Sequence, residues 1–138
     1  MAEAIARHIA SRPPFDAMGV RAISAGASAV DGLPATPEAV TAVDSLGMEM
    51  HEHRSAPLSR ELIAEADAIY GLTPSHVQAV LAFEPSAADR VHLLDPEGRA
   101  VPDPIGYPQG VYDETAQALQ RAIVDRLSEH LSATRQSS

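Results

Sequence analysis

Apolar and polar positions alternate along this chain in two rhythms, helical and extended. Ala2, Ile5, Ala6 and Ile9 keep the i, i+3, i+4, i+7 spacing of one buried helix face. Residues 20–24 read as a short strand ending in Ala25-Gly26. Thr36-Pro37-Glu38 starts a helix, with Thr as N-cap and Pro in the first helical position, and Gly47 stops it. Ser59 caps a further helix through Glu65, and Ala68-Ile69-Tyr70 reads as a second strand. Thr73-Pro74 repeats the cap-plus-Pro signal for a helix to Phe83, and residues 90–94 form a third strand. Tyr112, Ala116, Leu119, Ile123 and Leu127 then make one stripe on a long C-terminal helix.

Strands alternating with helices predict an α/β fold, a small doubly wound parallel sheet covered on both faces. Ligands of such sheets bind outside the carboxyl ends of the strands. Those ends are Ser24-Ala25-Gly26, Gly71-Leu72-Thr73 and Asp95-Pro96. Residues 95–110 carry four prolines and three glycines with no apolar period. A loop of that length in a compact domain is usually a lid or binding loop. One domain is expected over residues 1–131, followed by a polar tail over 132–138.

Composition narrows the function classes. A net charge of −9 over 138 residues argues against nucleic acid or an anionic membrane as partner. No apolar run is long enough to span a bilayer, and Glu3, Arg7 and His8 interrupt any leader-like start, so a cytoplasmic protein is expected. There is no cysteine, which removes disulfides, thiolate metal sites and any Cys nucleophile from these residues. No metal and no cofactor are expected.

Four groups invite a chemical reading. Asp103 lies between two prolines and is presented from extended backbone, either as a turn former or as a catalytic carboxylate. His51-Glu52-His53-Arg54 places two imidazoles at i, i+2 without an evident third metal ligand. Ser24 stands at a strand end, and His76 reads as a helix-surface residue.

Together these segments are more specific than any one of them. Met1-Ala2-Glu3-Ala4, Ser24-Ala25-Gly26, His53-Arg54-Ser55, Ala66-Asp67-Ala68-Ile69 and Pro102-Asp103-Pro104-Ile105-Gly106 with Tyr112 occur in a telling order. The chain resembles the low-molecular-weight protein-tyrosine phosphatases, in particular the bacterial branch that includes protein-arginine phosphatases. In that family a first strand leads into a C-x5-R-S-P phosphate loop, and the next helix commonly begins M-A-E-A. The resemblance therefore implies that the first, central strand and the phosphate loop would precede Met1 and are absent from these residues.

The resemblance implies a Cys nucleophile that forms a phospho-cysteine, with Asp103 as general acid and then base. It gives Ser24 and His53 supporting roles around the phosphate loop, and it leaves Tyr107 as the candidate pocket aromatic, since Ile105 and Gly106 follow Asp103-Pro104. The substrate would be a phosphorylated protein or small phosphomonoester, with phosphotyrosine and phosphoarginine both open. Lacking nucleophile and loop Arg, the chain as given is expected to be inactive, and to self-associate through exposed strands near Val20 and Ala68. A non-catalytic binding or regulatory module on the same fold is the alternative. An arsenate reductase is disfavoured because it would need cysteines.

Overall fold

A computed structural model describes residues 1–25, 36–48 and 57–137. Its regular elements are α1 (Ala2–Ala10), α2 (Pro37–Ser45), α3 (Arg60–Glu65), β1 (Ile69–Gly71), α4 (Pro74–Phe83), β2 (Val91–Leu93) and α5 (Gln109–Ser137). The three helix starts read from local sequence are capped as expected. Thr36 Oγ1 accepts from Ala39 N at 3.3 Å, Ser59 Oγ from Leu62 N at 3.2 Å and Thr73 Oγ1 from His76 N at 3.4 Å.

β1 and β2 pair in parallel, with Ile69 opposite Val91, Tyr70 opposite His92 and Gly71 opposite Leu93. Side chains alternate across this small sheet. Tyr70 packs toward a large apolar cluster beneath α1, α2 and α5, which includes Ile5, Val43, Leu119 and Leu127. Ile69 and Val91 turn to a smaller cluster with Ile63 of α3 and Val80 of α4. Helices thus cover both faces, as a doubly wound α/β arrangement requires. Fully buried side chains such as Ile5, Ile63 and Leu119 each contribute roughly 1.5–3 kcal/mol relative to exposure.

The strand expected over residues 20–24 is not one. A strand is defined by a hydrogen-bonded ladder, and this segment is in none among the described residues. It is tied to α1 by side chains instead, through Arg7 Nε to Ala22 O at 3.0 Å and Ser24 N to Glu3 Oε1 at 2.9 Å. Val20 and Ile23 remain 39% and 43% exposed, so its apolar residues do not make a buried face. At the other end, α5 continues past Leu131 to Ser137, and the expected tail is helical backbone to that point. No helix among the described residues is long and apolar enough to cross a membrane.

Gly71 ends β1 where the chain turns into α4. A Cβ there would sit 2.8 Å from Val77 Cγ2 and 2.9 Å from Val77 N, so only glycine permits this approach of strand to helix.

Candidate functional site

The long loop leaves the carboxyl end of β2 and returns across the sheet before α5. Its first anchor is Leu94, whose N–H donates to Gly71 O at 2.8 Å. Arg126 of α5 donates to Leu94 O through Nε at 2.9 Å and to Leu93 O through Nη2 at 2.5 Å. The chain then turns at Asp95, whose carboxylate accepts from Glu97 N and Arg99 Nε, both at 2.8 Å. The Glu97 N–H and the Arg99 guanidinium hold the Asp95 carboxyl below its ordinary value. Val101 is the second anchor, buried and donating its N–H to Leu72 O at 2.7 Å.

Asp103 follows two residues later and is exposed, with Pro104 buried directly after it. Its Oδ1 accepts from Ile105 N at 3.0 Å, and Tyr107 N donates to Pro104 O at 2.9 Å to close the next turn. Gly106, at φ +84°, takes the left-handed position in that turn. Ile105 and Tyr107 project from the tip, 64% and 61% exposed.

Asp103 is among the charges that act on the beginning of α1. Burial lowers the Met1 ammonium from its ordinary value, while the Glu3 and Asp103 carboxylates act on it in the opposite sense. Glu3 also accepts the Ser24 N–H and lies 3.7 Å from Arg7 Nη2. Of the residues read from sequence, Ser24 is therefore tied to the first turn of α1 by its main chain. His53 lies outside the described residues, as do His51, Glu52 and Arg54. Tyr107 stands at the loop tip, and His76 is an exposed residue of α4. Among the described residues no three His, Cys, Asp or Glu side chains are grouped to hold a metal ion.

Three participants escaped the sequence reading. Glu3 joins residues 20–25 to α1, and its signal was only an acidic residue in a first helical turn. Arg126 holds the loop's first anchor across 32 and 33 residues of sequence. Gln109 donates through Nε2 to Glu38 O at 2.9 Å and Asp113 Oδ1 at 3.0 Å. Neither Arg126 nor Gln109 has a local pattern that marks it.

Comparison with known proteins agrees with this geometry. The family profile described as "Low molecular weight phosphotyrosine protein phosphatase" matches residues 1–137. A probable low molecular weight protein-tyrosine-phosphatase, EpsP of Ralstonia nicotianae, is 31% identical over 106 residues, covering 76% of this chain and 73% of that protein. A protein-arginine-phosphatase of Bacillus subtilis is 31% identical over 127 residues, covering 89% and 82%. Among solved structures, the YwlE arginine phosphatase from Geobacillus stearothermophilus superposes with a TM-score of 0.84 at 28% identity, over 99% of this chain and 86% of that one.

Proposed function

Because this chain belongs to the low molecular weight phosphotyrosine protein phosphatase family, we propose that it carries the acid–base half of phosphomonoester hydrolysis, with Asp103 as proton donor. The observation that carries this reading is the place of Asp103 on the long loop that leaves the carboxyl end of β2, anchored there by Leu94 and Val101. A helix N-terminus offers unsatisfied N–H groups and a positive dipole end to a phosphoryl anion. In the family's chemistry a Cys thiolate attacks phosphorus and the bond from phosphorus to the leaving oxygen breaks. The Asp103 carboxyl gives its proton to that oxygen. Water then attacks phosphorus, its proton passes to the Asp103 carboxylate, and sulfur departs as thiolate.

Ser24 and His53 are assigned supporting roles beside the phosphate-binding loop, and Tyr107 a place against the substrate. The substrate is a phosphorylated protein or a small phosphomonoester. Phosphotyrosine and phosphoarginine are both represented in the names of the relatives, and the choice between them belongs to the same proposal. Cytoplasmic placement does too.

The 138 residues contain no cysteine, so the chain by itself is expected to turn over neither p-nitrophenyl phosphate nor phosphotyrosine peptides. Turnover by the purified chain that an Asp103→Ala variant abolishes would require another nucleophile and overturn this reading. Joining a strand and a C-x5-R-S-P loop ahead of Met1 is expected to produce a phosphatase. In that protein Asp103→Asn should lower kcat by about 10²-fold or more on poor leaving groups and less on activated ones. An equal loss on both would remove Asp103 from the proton-donor role. The absence of cysteine also favours a second reading, a binding module on the same fold. Tight binding of a phosphopeptide without turnover would support it.

A further inference from the structure

We infer that Gln109 is a positioning residue for Asp103, a strut that ties the Asp103-bearing segment to the first turn of α2. The inference rests on the reading of Asp103 as general acid and assigns a residue that this reading does not use. Residues 102–108 make two internal hydrogen bonds, Ile105 N to Asp103 Oδ1 and Tyr107 N to Pro104 O. Such bonds set the shape of a turn and leave its place in the molecule open. Place comes from the buried Pro104 and from the two ends. On the N-terminal side the segment is held by Val101, buried and bonded to Leu72 O.

On the C-terminal side the holding group is the Gln109 carboxamide, at the first residue of α5. Its nitrogen donates to Glu38 O at 2.9 Å and to Asp113 Oδ1 at 3.0 Å. A primary amide has two N–H donors, and two acceptors use both. Glu38 is 71 residues away in sequence, so this contact joins the loop to a different layer of the fold. Asp113, four residues on, orients the amide by accepting its other hydrogen. The chemistry demands a donor here, because both partners are acceptors. A carboxylate of the same shape would face the Glu38 carbonyl and the Asp113 carboxylate, and would repel both.

Gln109→Leu and the near-isosteric Gln109→Glu test the strut in the full 138-residue chain, by amide hydrogen exchange. In both variants at neutral pH, the Ile105 and Tyr107 amides are expected to exchange about tenfold faster, while those of Leu94 and Val101 stay within about twofold of the parent. In Gln109→Glu, lowering the pH until the new carboxyl is protonated restores a donor, and exchange at Ile105 and Tyr107 should return toward the parent. Unchanged exchange at Ile105 and Tyr107 would overturn the proposal. So would equal acceleration at Leu94 and Val101, or no recovery of Gln109→Glu at low pH. Turnover enters none of these measurements, so failure of the strut is distinguishable from failure of Asp103 as proton donor.

Discussion

Replacing Arg126 with Leu is expected to be among the more damaging single changes to this fold away from its apolar clusters. The side chain is only 17% exposed and reaches four groups at once. Two of its nitrogens donate to Leu93 O and Leu94 O. Nη1 meets the Glu129 carboxylate at 2.9 Å, and the guanidinium carbon lies 5.1 Å from the centre of the Tyr70 ring. Hydrogen bonds from a charged donor are worth about 1.5–3 kcal/mol each. The Glu129 pair adds about 0–1 kcal/mol, because Glu129 is 51% exposed and solvent screens it. The ring contact adds about 0.5–1 kcal/mol. Water entering the vacated space returns part of the carbonyl solvation, which places the expected loss at about 3–5 kcal/mol. Against a typical total of ~5–15 kcal/mol, that is a large fraction.

Urea unfolding measures this as a fall in midpoint at constant slope. Arg126→Lys should recover less than about half, because an ammonium cannot present the planar fork that spans two successive carbonyls. Glu129→Gln should cost under about 1 kcal/mol. A loss below about 1 kcal/mol for Arg126→Leu, or full recovery by Lys, would refute the claim that these carbonyl bonds anchor the loop's departure.

Three further outcomes follow from the geometry. Gly71→Ala should destabilise by about 1–3 kcal/mol in thermal or urea unfolding, since its Cβ meets α4 backbone at Val77 N; a neutral effect would mean that β1 and α4 separate freely. Burial raises the Tyr70 hydroxyl above its ordinary value of 10.0, with Arg126 opposing and Glu129 reinforcing. The neutral phenol is then favoured by the folded state, so its stabilising contribution is complete below pH 10 and is lost as pH rises through the higher folded value. Tyr70→Phe should flatten the fall of the urea midpoint above pH 10, and an unchanged slope would count against it. Finally, the exposed Val20 and Ile23 on a segment outside any described ladder favour concentration-dependent self-association. Sedimentation should show Ile23→Lys shifted toward monomer, and a parent chain that is monomeric at every concentration would refute the idea.

What could be read from sequence was what is decided locally. Thr36, Ser59 and Thr73 announce helices because a cap acts within three residues, and the α5 stripe from Tyr112 to Leu127 is buried as its spacing requires. Asp103 was legible as a loop carboxylate because the flanking prolines dictate extended backbone there. Residues 20–24 show the limit of that approach. Apolar spacing states which residues suit a sheet, but a ladder needs a neighbouring backbone, and this segment bonds to Glu3 and Arg7 instead. Gly71, Gln109 and Arg126 were illegible for a related reason. Each is defined by a group brought close only by folding, whether Val77 backbone, the Glu38 carbonyl or the end of β2.

The division of the apolar interior into two clusters bears on how the molecule breathes. Among the described residues, Ile63, Val80, Ala87 and Val91 make a small pack under α3 and α4, whereas seventeen buried residues make the larger one. Opening free energies within a native protein scale with the contacts broken, so the α3–α4 layer is the natural first unit to open. Leu94 and Val101, which anchor the Asp103 loop, belong to the larger cluster, together with Ile5 and Ile9 of α1. Through Leu94 and Val101 the Asp103 loop is mounted on the larger cluster, while the Gly71 and Leu72 carbonyls that accept their N–H groups tie it to the segment entering α4.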